Sequence, residues 1–84
     1  MGSMIISVDK NRREFAMVYR NAVFRYRFDQ LDSWKHEWDV RNGVTNKHRF
    51  IVNVLDPDQP RHLTRASRSV CTHWHAKMSA LLNA

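Results

Sequence analysis

Trp34-Lys35-His36-Glu37-Trp38-Asp39-Val40-Arg41 alternates apolar or aromatic side chains with charged ones without a break. A period of two puts Trp34, His36, Trp38 and Val40 on one face of a β-strand and Lys35, Glu37, Asp39 and Arg41 on the other. A helix would scatter both sets around its circumference. The stretch therefore reads as a half-buried strand, with Trp34, Trp38 and Val40 expected in the core. Asn42-Gly43 follows and supplies the positive backbone dihedrals of a turn or bulged loop.

Outward from this strand, the upstream chain reads as a meander. Ile5 to Val8 is β-rich and closes on Asp9-Lys10-Asn11-Arg12, a turn in which Asp and Asn bond their own backbone. Phe15 to Tyr19 is the return strand and Arg20-Asn21 a tight turn. Ala22 to Phe28 is a third strand, in which Phe24, Tyr26 and Phe28 alternate with Arg25 and Arg27. Downstream, His48 to Leu55 is a strand centred on Phe50-Ile51-Val52. Asp56-Pro57-Asp58-Gln59-Pro60 ends it, because proline lacks a donor and restricts the residue before it. Arg61 to Leu63 is a short edge strand.

The period changes after Thr64. Val70, Trp74, Met78 and Leu81 fall at i, i+4, i+8 and i+11, flanked by Cys71 and Leu82. This is an amphipathic helix, with Thr64 or Ser67 as its N-cap. Its stripe has only the sheet to bury against. The expected fold is α+β, a bent antiparallel meander of five or six strands packed against one C-terminal helix.

Composition narrows the functions. The chain has 84 residues, a net charge of +6 and one cysteine. That length allows one domain, read as residues 4–84 behind a Met1-Gly2-Ser3 cloning remnant. A chain this small buries only about 60% of its unfolded surface, too little for a deep, water-excluding active site. Nine aromatic residues against two Gly and two Pro argue against disorder. A single thiol excludes an internal disulfide framework, and with no export signal it points to the cytoplasm. No apolar run approaches the roughly 18 residues of a membrane span.

The order of these segments resembles small bacterial domains of the pleckstrin-homology-like class, some carried by phages or other mobile elements. The resemblance rests on three stretches: the meander ending in Phe24-Arg25-Tyr26-Arg27-Phe28-Asp29-Gln30-Leu31, the strand pair around Asn42-Gly43 with the turn at Asp56 to Gln59, and the terminal helix with Trp74 and Leu81-Leu82-Asn83. It implies a PH-like, non-enzymatic binding fold. It implies no lipid site, because the loop between the first two strands offers only Lys10, Arg12 and Arg13.

Three chemistries are weighed against plainer roles. Cys71 and His75 lie four apart on one helix face, as two corners of a zinc site would, but no CxxC or HxxxH partner completes the set. The plainer role is a packed thiol and a histidine at the core's border. Nucleophilic catalysis by Cys71 fails because mid-helix amides are already bonded and form no oxyanion hole. Glu37 and Asp39 share a face with Lys35 and Arg41, so mutual pairing explains them better than acid–base catalysis.

The basic surplus carries more weight. Residues 59–84 hold Arg61, Arg65, Arg68 and Lys77 and no acid, whereas residues 28–39 hold Asp29, Asp32, Glu37 and Asp39 against Lys35. Arg65 and Arg68 are expected in the helix's first turn, where positive charge is disfavoured by the helix dipole. A local rule broken without compensation often marks a functional site. Arg61, Arg65 and Arg68, extended by Arg25, Arg27 and Arg49, are therefore the candidate partner or anion site. The plainer alternative is a solvated basic face.

Two functions follow. One is a protein-interaction module, of the kind that serves a phage or mobile element as an accessory or inhibitory factor, binding an acidic partner surface or a second copy of itself. The other is a nucleic-acid-binding protein that contacts phosphates through the same patch, with a steep salt dependence. The first is preferred, because the acidic segment 28–39 would repel a duplex laid across it. Neither calls for a cofactor, a metal or a small-molecule substrate.

Overall fold

A computed structural model of the chain describes residues 4–81, leaving aside the side chains of 44–46. The proposed remnant at residues 1–3 and the closing Leu82 and Asn83 lie outside the described residues. Six strands precede one helix: β1 (Ile5–Asp9), β2 (Glu14–Tyr19), β3 (Ala22–Arg27), β4 (Leu31–Arg41), β5 (Val44–Val54), β6 (Arg61–Arg65) and α1 (Arg68–Leu81). A single 3-10 turn at Phe28–Gln30 joins β3 to β4. The strands do not form one continuous meander. They divide into two antiparallel three-stranded sheets, β1-β2-β3 and β4-β5-β6.

The turns follow from their residues. Arg20 and Asn21 have φ of 52° and 60°, and Asn42 and Gly43 have φ of 50° and 77°. Both pairs have the positive dihedrals whose twist matches that of hairpin strands. Between β1 and β2, the Arg12 amide donates to Asp9 Oδ1 at 3.1 Å, so the aspartate closes its own turn.

Alternation assigns the faces. In the first sheet Ile6, Phe15, Met17, Tyr19 and Tyr26 point inward, and in the second Phe50, Val52 and Val54 do so. Cys71, Trp74, Met78 and Leu81 complete the core from the helix. Fully burying a side chain of this size contributes about 1.5–3 kcal/mol. Val70 is not in the stripe. It remains 38% exposed, and Cys71, one residue on, takes the core position. The helix begins at Arg68, four residues after Thr64, the earlier of the two expected caps. Ser67 is the cap: its hydroxyl accepts from the Val70 amide at 3.3 Å, and its carbonyl accepts from Cys71 at 3.0 Å.

The helix also covers the free edge of β1. Trp74 Nε1 donates to the Met4 carbonyl at 3.1 Å and Lys77 Nζ to the Ile6 carbonyl at 2.7 Å. Both side chains thus satisfy strand groups that no neighbouring strand meets. Lys77 is thereby tied down and does not contribute to a free basic patch.

The long axis is 45 Å and the radius of gyration 13.2 Å, against about 12 Å for a compact chain of this length. The excess reflects the two 11-residue strands β4 and β5, whose distal ends outrun the core. Trp38 and Val40 sit on that extension, 50% and 61% exposed. Strand alternation placed them correctly on the face of Trp34, but there is no core beneath them so far out. No helix among the described residues is long and apolar enough to cross a membrane.

Candidate functional site

Two irregularities in β4–β5 pairing shape the distal ribbon. Near its start Leu31 faces Val54 and Ser33 faces Asn53, so Asp32 is an extra residue. Leu31 and Trp34 both reach the core as a result. Further along, Glu37 faces Arg49 and Asp39 faces Asn46, leaving Lys47 and His48 opposite Trp38. Lys47 has φ of 55°, the left-handed residue of a bulge. Such bulges bend a strand and re-aim side chains. Here the bulge sets His48 beside both His36 and Trp38.

The result is a cleft of about 230 Å³ lined by His36, Trp38, His48, Arg68 and Thr72. His36 Nε2 lies 2.9 Å from His48 Nδ1, and the Trp38 ring packs edge-on to His36 at 4.9 Å between centroids. Thr72 donates its hydroxyl proton to the Arg68 carbonyl at 2.9 Å. Burial holds the His36 imidazole below its ordinary range, and the nearby His48, His75 and Arg68 push it further the same way. Glu37 and Asp39 cannot offset this. They lie on the opposite face of β4, where Lys35 reaches Glu37 at 3.2 Å and Arg49 grips Asp39 with both guanidinium nitrogens at 3.2 and 3.3 Å.

On that opposite face, β6 is an edge strand with β5 as its one partner. The Val54 amide bonds the Pro60 carbonyl and the Ala66 amide bonds the His48 carbonyl, so even-numbered residues of β6 turn their main chain to β5. Antiparallel alternation then turns the amides and carbonyls of Arg61, Leu63 and Arg65 outward. The side chains of Arg61 and Arg65 are exposed, four residues or about 13 Å apart. Among the described residues neither takes part in an ion pair.

The six arginines expected to share one patch are thus dispersed. Arg61 and Arg65 stand together on β6, and Arg65 belongs to that strand, not to the helix. Arg68 alone is in the helix's first turn, and it lines the cleft. Arg25 and Arg27 are on β3 in the other sheet, and Arg27 pairs with Asp29 at 3.2 Å. Arg49 is held by Asp39 and Glu37. Cys71 and His75 do not converge either. Cys71 is fully buried, with its thiol pushed up by burial, whereas His75 is exposed and accepts from Trp34 Nε1 at 3.1 Å. No cluster of three or more potential metal ligands occurs among the described residues.

A third cluster escapes sequence reading altogether. His62 is buried where the two sheets meet. Gln59 donates to Tyr19 Oη at 3.1 Å, and that hydroxyl, 2.6 Å from His62 Nδ1, passes its own proton there. Tyr26 donates to Asp56 Oδ2 at 2.8 Å, so its oxygen accepts from His62 Nε2 at 2.9 Å. Every donor in this chain has an acceptor if His62 is neutral with its proton on Nε2. Burial depresses His62 accordingly, against the opposing pull of Asp56. The Tyr26 hydrogen bond in turn holds the Asp56 carboxyl low. The aromatic residues Tyr19, Phe24 and Tyr26 are visible in the sequence, but nothing there joins them to a histidine 36 to 43 residues away.

Comparison with protein-family models, curated proteins and solved structures finds no significant match to this chain.

Proposed function

We propose that the protein is a non-enzymatic, PH-like interaction module that binds an acidic, extended segment of a partner protein along β6. The observation that carries this reading is the pairing of an open strand edge with two arginines that have no counter-ion among the described residues. Arg27 and Arg49 have carboxylates in reach; among the described residues Arg61 and Arg65 pair with none. Strand addition draws affinity from main-chain hydrogen bonds and specificity from flanking side chains. Two arginines along an edge repel a second copy of β6 and attract an acidic strand, which favours a heterologous partner over self-pairing. The resemblance to phage-borne domains extends the reading to an accessory or inhibitory factor that acts by occupying a partner's surface.

An alternating Glu/Val peptide is the direct probe. The expected outcome is that its addition shifts and protects the amides of Arg61, Leu63 and Arg65, and that Arg61→Glu/Arg65→Glu weakens it by about tenfold or more. If the peptide leaves those amides untouched while single- or double-stranded DNA binds with a steep salt dependence, the phosphate-contact reading replaces this one.

A further inference from the structure

The cleft on the other face of the second sheet has no role in strand docking, and its chemistry is of a different kind. Its formal charge comes from Arg68, and no carboxylate lines it. Its volume of about 230 Å³ is roughly that of eight waters. The groups facing His36 are His48 from β5 and Arg68 and His75 from α1, all bases. Two imidazole nitrogens 2.9 Å apart share one proton, one ring donating and the other accepting. Both facing nitrogens become donors only when the accepting ring gains a proton on its facing nitrogen. A bridging anion favours drawing that proton from solvent, because a charged imidazolium pairs with it better than a neutral tautomer does. A tetrahedral oxyanion supplies the bridging acceptors, and Arg68, which lines the same cleft, adds a guanidinium donor. Thr72 serves only as a wall, since its proton is already given to the Arg68 carbonyl. Trp38, half-exposed at the rim beside His36, offers a flat apolar surface to whatever organic group the anion carries.

We propose that the cleft formed by His36, Trp38, His48, Arg68 and Thr72 binds the phosphate group of a small phosphate monoester, with Arg68 and the two imidazoles as donors and Trp38 against the ester group. Binding takes up one proton from solvent at the histidine pair. Affinity therefore rises as pH falls.

Sulfate isolates the protein's part in this linkage, because it stays dianionic where phosphate itself titrates. Sulfate added to the intact chain shifts the imidazole NMR signals of His36 and His48, and it binds about tenfold more tightly near pH 5.5 than near pH 7.5. Arg68→Gln weakens binding by about fivefold or more, and His48→Gln removes the pH dependence. Arg61→Glu/Arg65→Glu leaves sulfate binding intact, which separates this site from the strand edge. Phenyl phosphate binds more tightly than inorganic phosphate, and Trp38→Ala abolishes the difference. Unmoved imidazole signals, indifference to Arg68→Gln, or a response to zinc or copper(II) in place of sulfate would each overturn the site. Equal affinity for phenyl and inorganic phosphate would overturn the ester assignment.

Discussion

Two histidine clusters occupy opposite situations in this small protein. Around His62 the chain is closed: two tyrosines meet both nitrogens of a ring buried between the sheets, and a glutamine and an aspartate meet the tyrosine hydroxyls in turn. Around His36 and His48 the chain is open: the rings meet each other, a half-exposed tryptophan stands at the rim, and Arg68 has no carboxylate opposite it. The first arrangement leaves nothing for a ligand to satisfy and so serves stability. The second retains unmet capacity for an anion. Residue type alone does not separate the two; what surrounds the ring does.

The largest test of this contrast removes each ring in turn. His62→Ala leaves two tyrosine hydroxyls without their partner and opens a cavity between the sheets. The expected loss is about 3 kcal/mol, read from the denaturant midpoint. His48→Ala sits at a half-open surface and should cost about 1 kcal/mol or less by the same measurement. Similar losses at both positions would erase the distinction between a closed hub and an open site.

Acid should attack the closed hub. Burial depresses His62, so the unfolded chain binds a proton that the folded one refuses. Stability is whole above the unfolded value near about 6.5 and declines below it, by up to about 1.4 kcal/mol per pH unit for a single group. His36 is shifted in the same direction. Thermal melts across this range should therefore show a falling Tm below about pH 6.5. His62→Gln should remove most of that slope and His36→Gln only a part, because His36 is less enclosed. A slope unaffected by His62→Gln would mean that the hub is not what acid attacks.

A small effect, confined to one end of the helix, belongs to the cap. Ser67→Ala removes the acceptor for the Val70 amide and should cost about 1 kcal/mol. Hydrogen exchange should quicken at residues 68–72, which carry Arg68 into the cleft, while amides around Tyr19, Tyr26 and His62 keep their protection. Loosening of both regions together would show that the open site is not mechanically separate from the hub.

Much of the architecture was legible in local pattern. The two turns with paired positive dihedrals, the alternation in β3 and β4, and the change of period into α1 are all short-range signals. Local pattern also separated the two faces of β4, including the Lys35–Glu37 pairing. It misjudged how far the core extends. Trp38 and Val40 lie on the correct face and still meet solvent, because the burial of a strand residue depends on what is packed above it. The arginine cluster was misjudged for a similar reason: adjacency in sequence does not tell which face of a sheet, or which of two sheets, a side chain occupies.

Residue order by itself determined the strands, the helix, their turns and the surplus of positive charge, since backbone preference and side-chain period act over a few neighbours. Tertiary structure alone decided the division into two sheets, the bulge that brings His48 to His36, the burial of His62, and which arginines keep a free charge. Each of these depends on contacts between segments far apart in the chain, where packing, desolvation and distance to a counter-ion are settled only once the sheets have met.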